Sequence, residues 1–86
     1  MSDILIVDDE RDIRELVADI LADEGFSARK AGTAQECMHE VEISPPELLI
    51  LDIWLKDSDM DGIDILKRVK SDFPNIPVVI ISGHGN

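Results

Sequence analysis

The apolar positions of this chain fall into two kinds of pattern that alternate along its length. Continuous apolar runs occur at Ile4 to Val7, Leu48 to Leu51 and Val78 to Ile81, each bounded by polar or turn-forming residues. Short runs of this kind predict parallel strands buried on both faces. A fourth segment, Phe26 to Ala31, mixes polar and apolar residues and predicts an edge strand with one exposed face. Between these segments the period changes. Ile13, Leu16, Val17, Ile20 and Leu21 recur at helical spacing and predict one apolar stripe on a helix from about Glu10 to Glu24. Gly25 follows where a C-terminal cap belongs. Thr33 is placed to cap a second helix running to about Ile43, and Pro45-Pro46 forbids its continuation. A third helix starts near Gly62, buries Ile65, Leu66, Val69 and Phe73, and stops at Pro74.

The order β-α-β-α-β-α-β predicts an α/β fold: a doubly wound, open parallel sheet of flavodoxin-like layout, strand order 2-1-3-4, with helices on both faces. At 86 residues one domain is the limit. There is no internal repeat, low-complexity tract or linker. A sheet of this kind usually continues past its fourth strand. The expectation is therefore a single domain over 1–86, truncated at its C-terminal end to four strands and three helices.

Composition narrows the chemistry. The chain is 44% apolar but holds only two Phe and one Trp, so the core must be aliphatic. Eight basic and 19 acidic residues give a formal charge of −11. No basic patch exists to displace counterions from nucleic acid or to adhere to an anionic membrane. Most of this acidity reads as solubility. The lone Cys37 has no disulfide partner within the chain and no zinc-type spacing around it, and it reads as a small buried side chain. No basic n-region opens the chain and no apolar run reaches membrane-spanning length, so the cytoplasm is the expected compartment.

Three carboxylates stand apart from the scattered charge. Asp8 and Asp9 close the first predicted strand, and Asp52 closes the third. In open α/β sheets, ligands bind beyond the carboxyl ends of the strands, where strand order reverses. Strands 1 and 3 are neighbours in a 2-1-3-4 sheet, so these acids meet at one edge. Such a cluster repels itself unless a cation or protons relieve it. Hard oxygen donors in small number suit Mg²⁺, and a carboxylate beside Mg²⁺ suits phosphoryl transfer. The competing reading takes each Asp alone as a loop or capping residue, with Asp9 capping the first helix and Glu10 a favourable first-turn charge.

Three strings then match a family. ILIVDDE opening a helix, LLILDIWL with a lone Asp at a strand end, and VVIISGHG with a hydroxyl at the next strand end resemble the CheY-like receiver domains of two-component response regulators. The resemblance covers the whole chain but only the first part of a receiver, which has five strands and five helices. It implies that Asp52 is the phosphoacceptor and that Asp9, with Asp8 directly or through water, is a Mg²⁺ ligand. It implies a third protein ligand in the backbone carbonyl of Trp54, and a switch hydroxyl in Ser82 that turns inward to the phosphoryl group. The implied donor is a phosphohistidine on a sensor histidine kinase, or a small acyl phosphate, with the receiver assisting its own phosphorylation. DIWL and ISGHGN further resemble the NtrX-type nitrogen-regulation subfamily, which implies a transcription regulator as the parent.

Two departures qualify that likeness. The segment Lys56 to Asp61 lacks the family's Pro and is about two residues longer. Its Asp57, Asp59 and Asp61 lack the glycine and glutamate of a calcium loop, and read as a solvated acidic loop. The family's essential lysine follows a fifth strand that this chain does not contain, so its phosphorylation is expected to be impaired. His84 reads as an exposed loop residue and His39 as a solvated helix residue. Val78 to Ile81, left uncovered at an edge, is expected to promote homo-oligomerisation by sheet extension. Three rivals remain: an interaction-only module of the same fold, a passive cation binder, and an Asp-nucleophile phosphatase. The last usually has a second Asp where Trp54 stands.

Overall fold

Short apolar strands separated by helices can satisfy their backbone groups only by pairing sideways in parallel, with each crossover helix laid on a face of the sheet. The computed structural model, which describes residues 3–53 and 62–81, has this arrangement. It runs β1 (Asp3–Val7), α1 (Arg11–Asp23), β2 (Ser27–Ala31), α2 (Ala34–Ile43), β3 (Leu48–Asp52), α3 (Gly62–Asp72), β4 (Val78–Ile81). Among the described residues the strands form one parallel sheet in the order β2-β1-β3-β4. The order expected from element alternation is the order found.

Period-two alternation sends Leu5, Val7, Leu49 and Leu51 to one face, under α2 and α3, where they pack with Cys37, Val41, Ile65 and Val69. Ile4 and Ile6 go to the other face, under α1, with Ala18 buried and Val17 and Leu21 partly so. The core is aliphatic, as composition requires.

The helix ends follow the predicted chemistry closely. The Glu36 N–H donates to Thr33 Oγ1 at 3.1 Å, which caps α2. At the end of α1, Gly25 takes φ +93°, and the Phe26 N–H reaches back to the Leu21 carbonyl at 3.0 Å. That left-handed residue lets the chain reverse without a Cβ clash.

Two expectations need correction. The stripe on α1 is not one buried face: Ile13, Leu16 and Ile20 are exposed, because only Val17, Ala18 and Leu21 lie over the sheet. Glu10 is the N-cap of α1 rather than a first-turn residue; Asp12 holds the first-turn place. Val79 and Ile80 of β4 are exposed at the sheet edge, as the reading of Val78 to Ile81 as an uncovered edge requires.

Candidate functional site

The register of the sheet decides which acids meet. Val7 of β1 pairs with Leu51 of β3. The next residue on each strand is an aspartate, Asp8 and Asp52, and neighbouring strands lie only about 4.8 Å apart. Asp9 follows in the turn into α1. Asp8, Asp9 and Asp52 each offer a carboxylate oxygen, and these oxygens lie within 4.8 Å of one another. Asp52 is 0% exposed and Asp8 2% exposed, with Asp9 half-buried. Three acids drawn from two strand ends into a space that size favour a bound cation, because buried like charges repel strongly when nothing compensates them. Oxygen-only donors suit a small hard ion. The residues therefore fit a divalent metal.

The turn carrying Asp8 and Asp9 is held from several sides. The Asp8 N–H donates to the Ala31 carbonyl of β2 at 3.1 Å. Asp8 Oδ1 accepts the Glu10 N–H at 2.9 Å. That bond takes up one Asp8 oxygen in shaping the turn. Asp9 is not the N-cap of α1; Glu10 is, and its side chain makes no capping bond. The Asp8 carbonyl oxygen accepts Arg14 Nη1 at 2.8 Å.

Asp52 is fixed from the other side. The Ile53 N–H donates to the Ile81 carbonyl of β4 at 3.2 Å, and the Gly62 N–H donates to the Ile53 carbonyl at 3.2 Å. Gly62 opens α3 directly against this backbone. A Cβ there would collide with Ile53 Cα and come within 2.6 Å of the Asp52 carbonyl oxygen. Close backbone approach, rather than an unusual φ, requires glycine at this position.

The structure thus brings together Asp8, Asp9 and Asp52. Trp54 and Ser82 lie outside the described residues, as do His84 and the Lys56 to Asp61 segment. Among the described residues, Asp8, Asp9 and Asp52 form the metal-competent cluster found, and His39 is exposed on α2 away from it. Sequence reasoning missed Arg14 and the packing role of Gly62. The available signal for Arg14 was a cation near the start of a helix, where the macrodipole disfavours positive charge.

Comparison with known proteins sets this geometry in context. The sequence profile of the response regulator receiver domain matches residues 4–86. The nitrogen assimilation regulatory protein NtrX of Azorhizobium caulinodans is 55% identical over 84 residues, 98% of this chain and 18% of that protein. The chain thus spans about a fifth of the length of the curated relatives it matches first. The crystal structure of the receiver domain of NtrX from Brucella abortus superposes with TM-score 0.93 at 51% identity, covering 98% of this chain and 70% of that one. The response regulator TrrA of Thermotoga maritima, solved in complex with Mg²⁺-BeF, superposes with TM-score 0.91 at 26% identity over 99% of this chain and 72% of that one.

Proposed function

This chain belongs to the response regulator receiver domain family, and from that premise we propose that it accepts a phosphoryl group on Asp52. The observation that carries the reading is the convergence of Asp8, Asp9 and a fully buried Asp52 within 4.8 Å at adjacent strand ends. An Asp52 carboxylate oxygen attacks phosphorus in line. The P–N bond to a phosphohistidine on a sensor histidine kinase breaks, and the imidazole leaves with its electron pair. Asp9, Asp8 and Asp52 would hold Mg²⁺, with the Trp54 carbonyl a further ligand on the strength of the family resemblance. When bound, that ion offsets negative charge on the transferring group. Ser82 serves as the switch hydroxyl. The chain assists its own modification in this way.

In its parent protein this unit, residues 1–86, works in the cytoplasm and governs a transcription regulator of nitrogen metabolism. The NtrX-named relatives support that assignment. The Mg²⁺-BeF complex of the TrrA neighbour supports the choice of Mg²⁺ and of a phosphoryl-like ligand. Among the described residues no helix is long and apolar enough to cross a membrane.

The test is incubation with acetyl phosphate and Mg²⁺ followed by intact-mass measurement. One phosphoryl adduct should form, lost on Asp52→Asn and on chelation of the metal. An unmodified wild-type chain, with Mg²⁺-beryllofluoride also failing to bind, would refute the phosphoacceptor reading. A second reading rests on the exposed Val79 and Ile80 of β4, which favour self-association through the sheet edge.

A further inference from the structure

Arg14 sits in the second turn of α1, its backbone N–H bonded to the Glu10 carbonyl at 3.0 Å. Its side chain turns back to the strand end it follows, and Nη1 donates to the Asp8 carbonyl oxygen at 2.8 Å. That oxygen belongs to the peptide joining Asp8 to Asp9. The peptide unit is planar and stiff, so fixing its oxygen fixes the direction in which the chain enters Asp9.

The guanidinium also lies close against a second turn. A Cβ on Gly32, in the turn between β2 and α2, would meet Arg14 Nη1 at 2.8 Å and Cζ at 3.3 Å. Gly32 has no positive φ, so conformational freedom does not demand glycine there. The space is what matters: the bare backbone leaves room for the guanidinium. The Gly32 N–H donates to Glu36 Oε1 at 2.7 Å, which ties that turn to α2. Arg14 is thus lodged between two turns at the carboxyl edge of the sheet, with its charge on the carbonyl next to the acid cluster.

We infer that Arg14 is a positioning residue which, lodged against Gly32, holds the Asp8–Asp9 peptide so that Asp9 converges with Asp52 on one cation. The inference rests on the reading of Asp8, Asp9 and Asp52 as a divalent-metal site. Groups that orient metal ligands commonly change affinity by one to two orders of magnitude when removed. Gly32 provides an independent handle. Adding a methyl group there displaces only the far end of a flexible side chain, so the fold should survive while the guanidinium moves.

The experiment is Mn²⁺ titration of the 86-residue chain, with free Mn²⁺ read by electron paramagnetic resonance and folding followed by circular dichroism. Arg14→Gln should weaken Mn²⁺ binding by roughly tenfold to a hundredfold. Arg14→Lys, which keeps one donor and the charge, should recover part of that loss. Gly32→Ala should weaken binding in the same way although it removes no polar group, and should add little on top of Arg14→Gln. Wild-type affinity in folded Arg14→Gln or in Gly32→Ala would overturn the inference, as would full additivity in the double variant. If Arg14→Gln does not fold, Gly32→Ala alone decides between the same outcomes. A wild-type chain that binds no Mn²⁺ would instead overturn the metal-site reading, and this inference with it.

Discussion

A thiol shut away from water is chemically different from one in solution, and Cys37 shows how far a residue's surroundings set its behaviour. It is wholly buried on α2 among aliphatic side chains, and burial pushes its pKa from an ordinary 9.0 up to about 12. The native thiol should therefore react with an aromatic disulfide reagent at least about a hundredfold more slowly than the urea-unfolded chain at pH 8, since the thiolate is the reactive form. Stability follows from the same shift. The folded state holds the proton more tightly than the unfolded state, so this contribution is complete below about pH 9 and is lost as pH rises toward 12. Urea midpoints across that range should fall more steeply for the wild type than for Cys37→Ala; equal slopes would contradict the assignment. The burial of Cys37 was legible, since it shares a helix face with Ala34 and Val41. Arg14 was not legible in the same way. Its partner is a backbone oxygen, and nothing in the side-chain pattern marks which carbonyl a long cation will reach.

Elements are joined here by a few contacts that local propensity does not encode. Arg29 on β2 bridges Asp3 of β1 at 2.7 Å, Glu40 of α2 at 3.1 Å and the Ser44 carbonyl past the end of α2 at 2.7 Å. The hydrogen bonds that Arg29 donates to the Asp3 carboxylate, foremost among its interactions, raise the Arg29 pKa. Gly62 does the equivalent work between α3 and β3. Gly62→Ala should cost about 1–3 kcal/mol in urea denaturation, the usual penalty of overpacking a close approach. It should also weaken Mn²⁺ binding, because the backbone it pushes is that of Asp52 and Ile53. Gly25→Ala is the contrasting case. It should cost about 1 kcal/mol through its left-handed φ, with metal affinity unchanged, because nothing lies within 4 Å of the added methyl. Similar metal affinities in the two variants would argue against a special role for the Gly62 approach. Periodicity located α1 and α3 well. It overstated the buried face of α1, because helical spacing identifies an apolar stripe but not how much sheet lies beneath it.

At the scale of the molecule, the two faces and the two edges of the sheet are treated differently. One face carries α2 and α3 over a large aliphatic cluster, whereas α1 alone covers the other among the described residues. The β2 edge presents Ser27, Arg29 and Lys30, and such charged residues discourage strand pairing. The β4 edge carries Val78 to Ile81 without a charge, with Val79 47% and Ile80 39% exposed. Sedimentation should therefore show association that grows with protein concentration. Val79→Lys should suppress it without changing Mn²⁺ affinity. A wild-type chain that stays monomeric at millimolar concentration would rule out pairing through this edge.

Element order, the aliphatic core and the meeting of Asp8 and Asp9 with Asp52 were already determined by the sequence. Each depends on short-range periodicity plus the handedness rule for parallel crossovers, and both can be read along the chain. The tertiary structure alone decided that Arg14 lodges against Gly32, that Gly62 meets the end of β3, and that three of the five α1 stripe residues stay outside. Those features depend on the distance at which one element settles on another. That distance is set by packing among residues far apart in the chain, so no local pattern carries it.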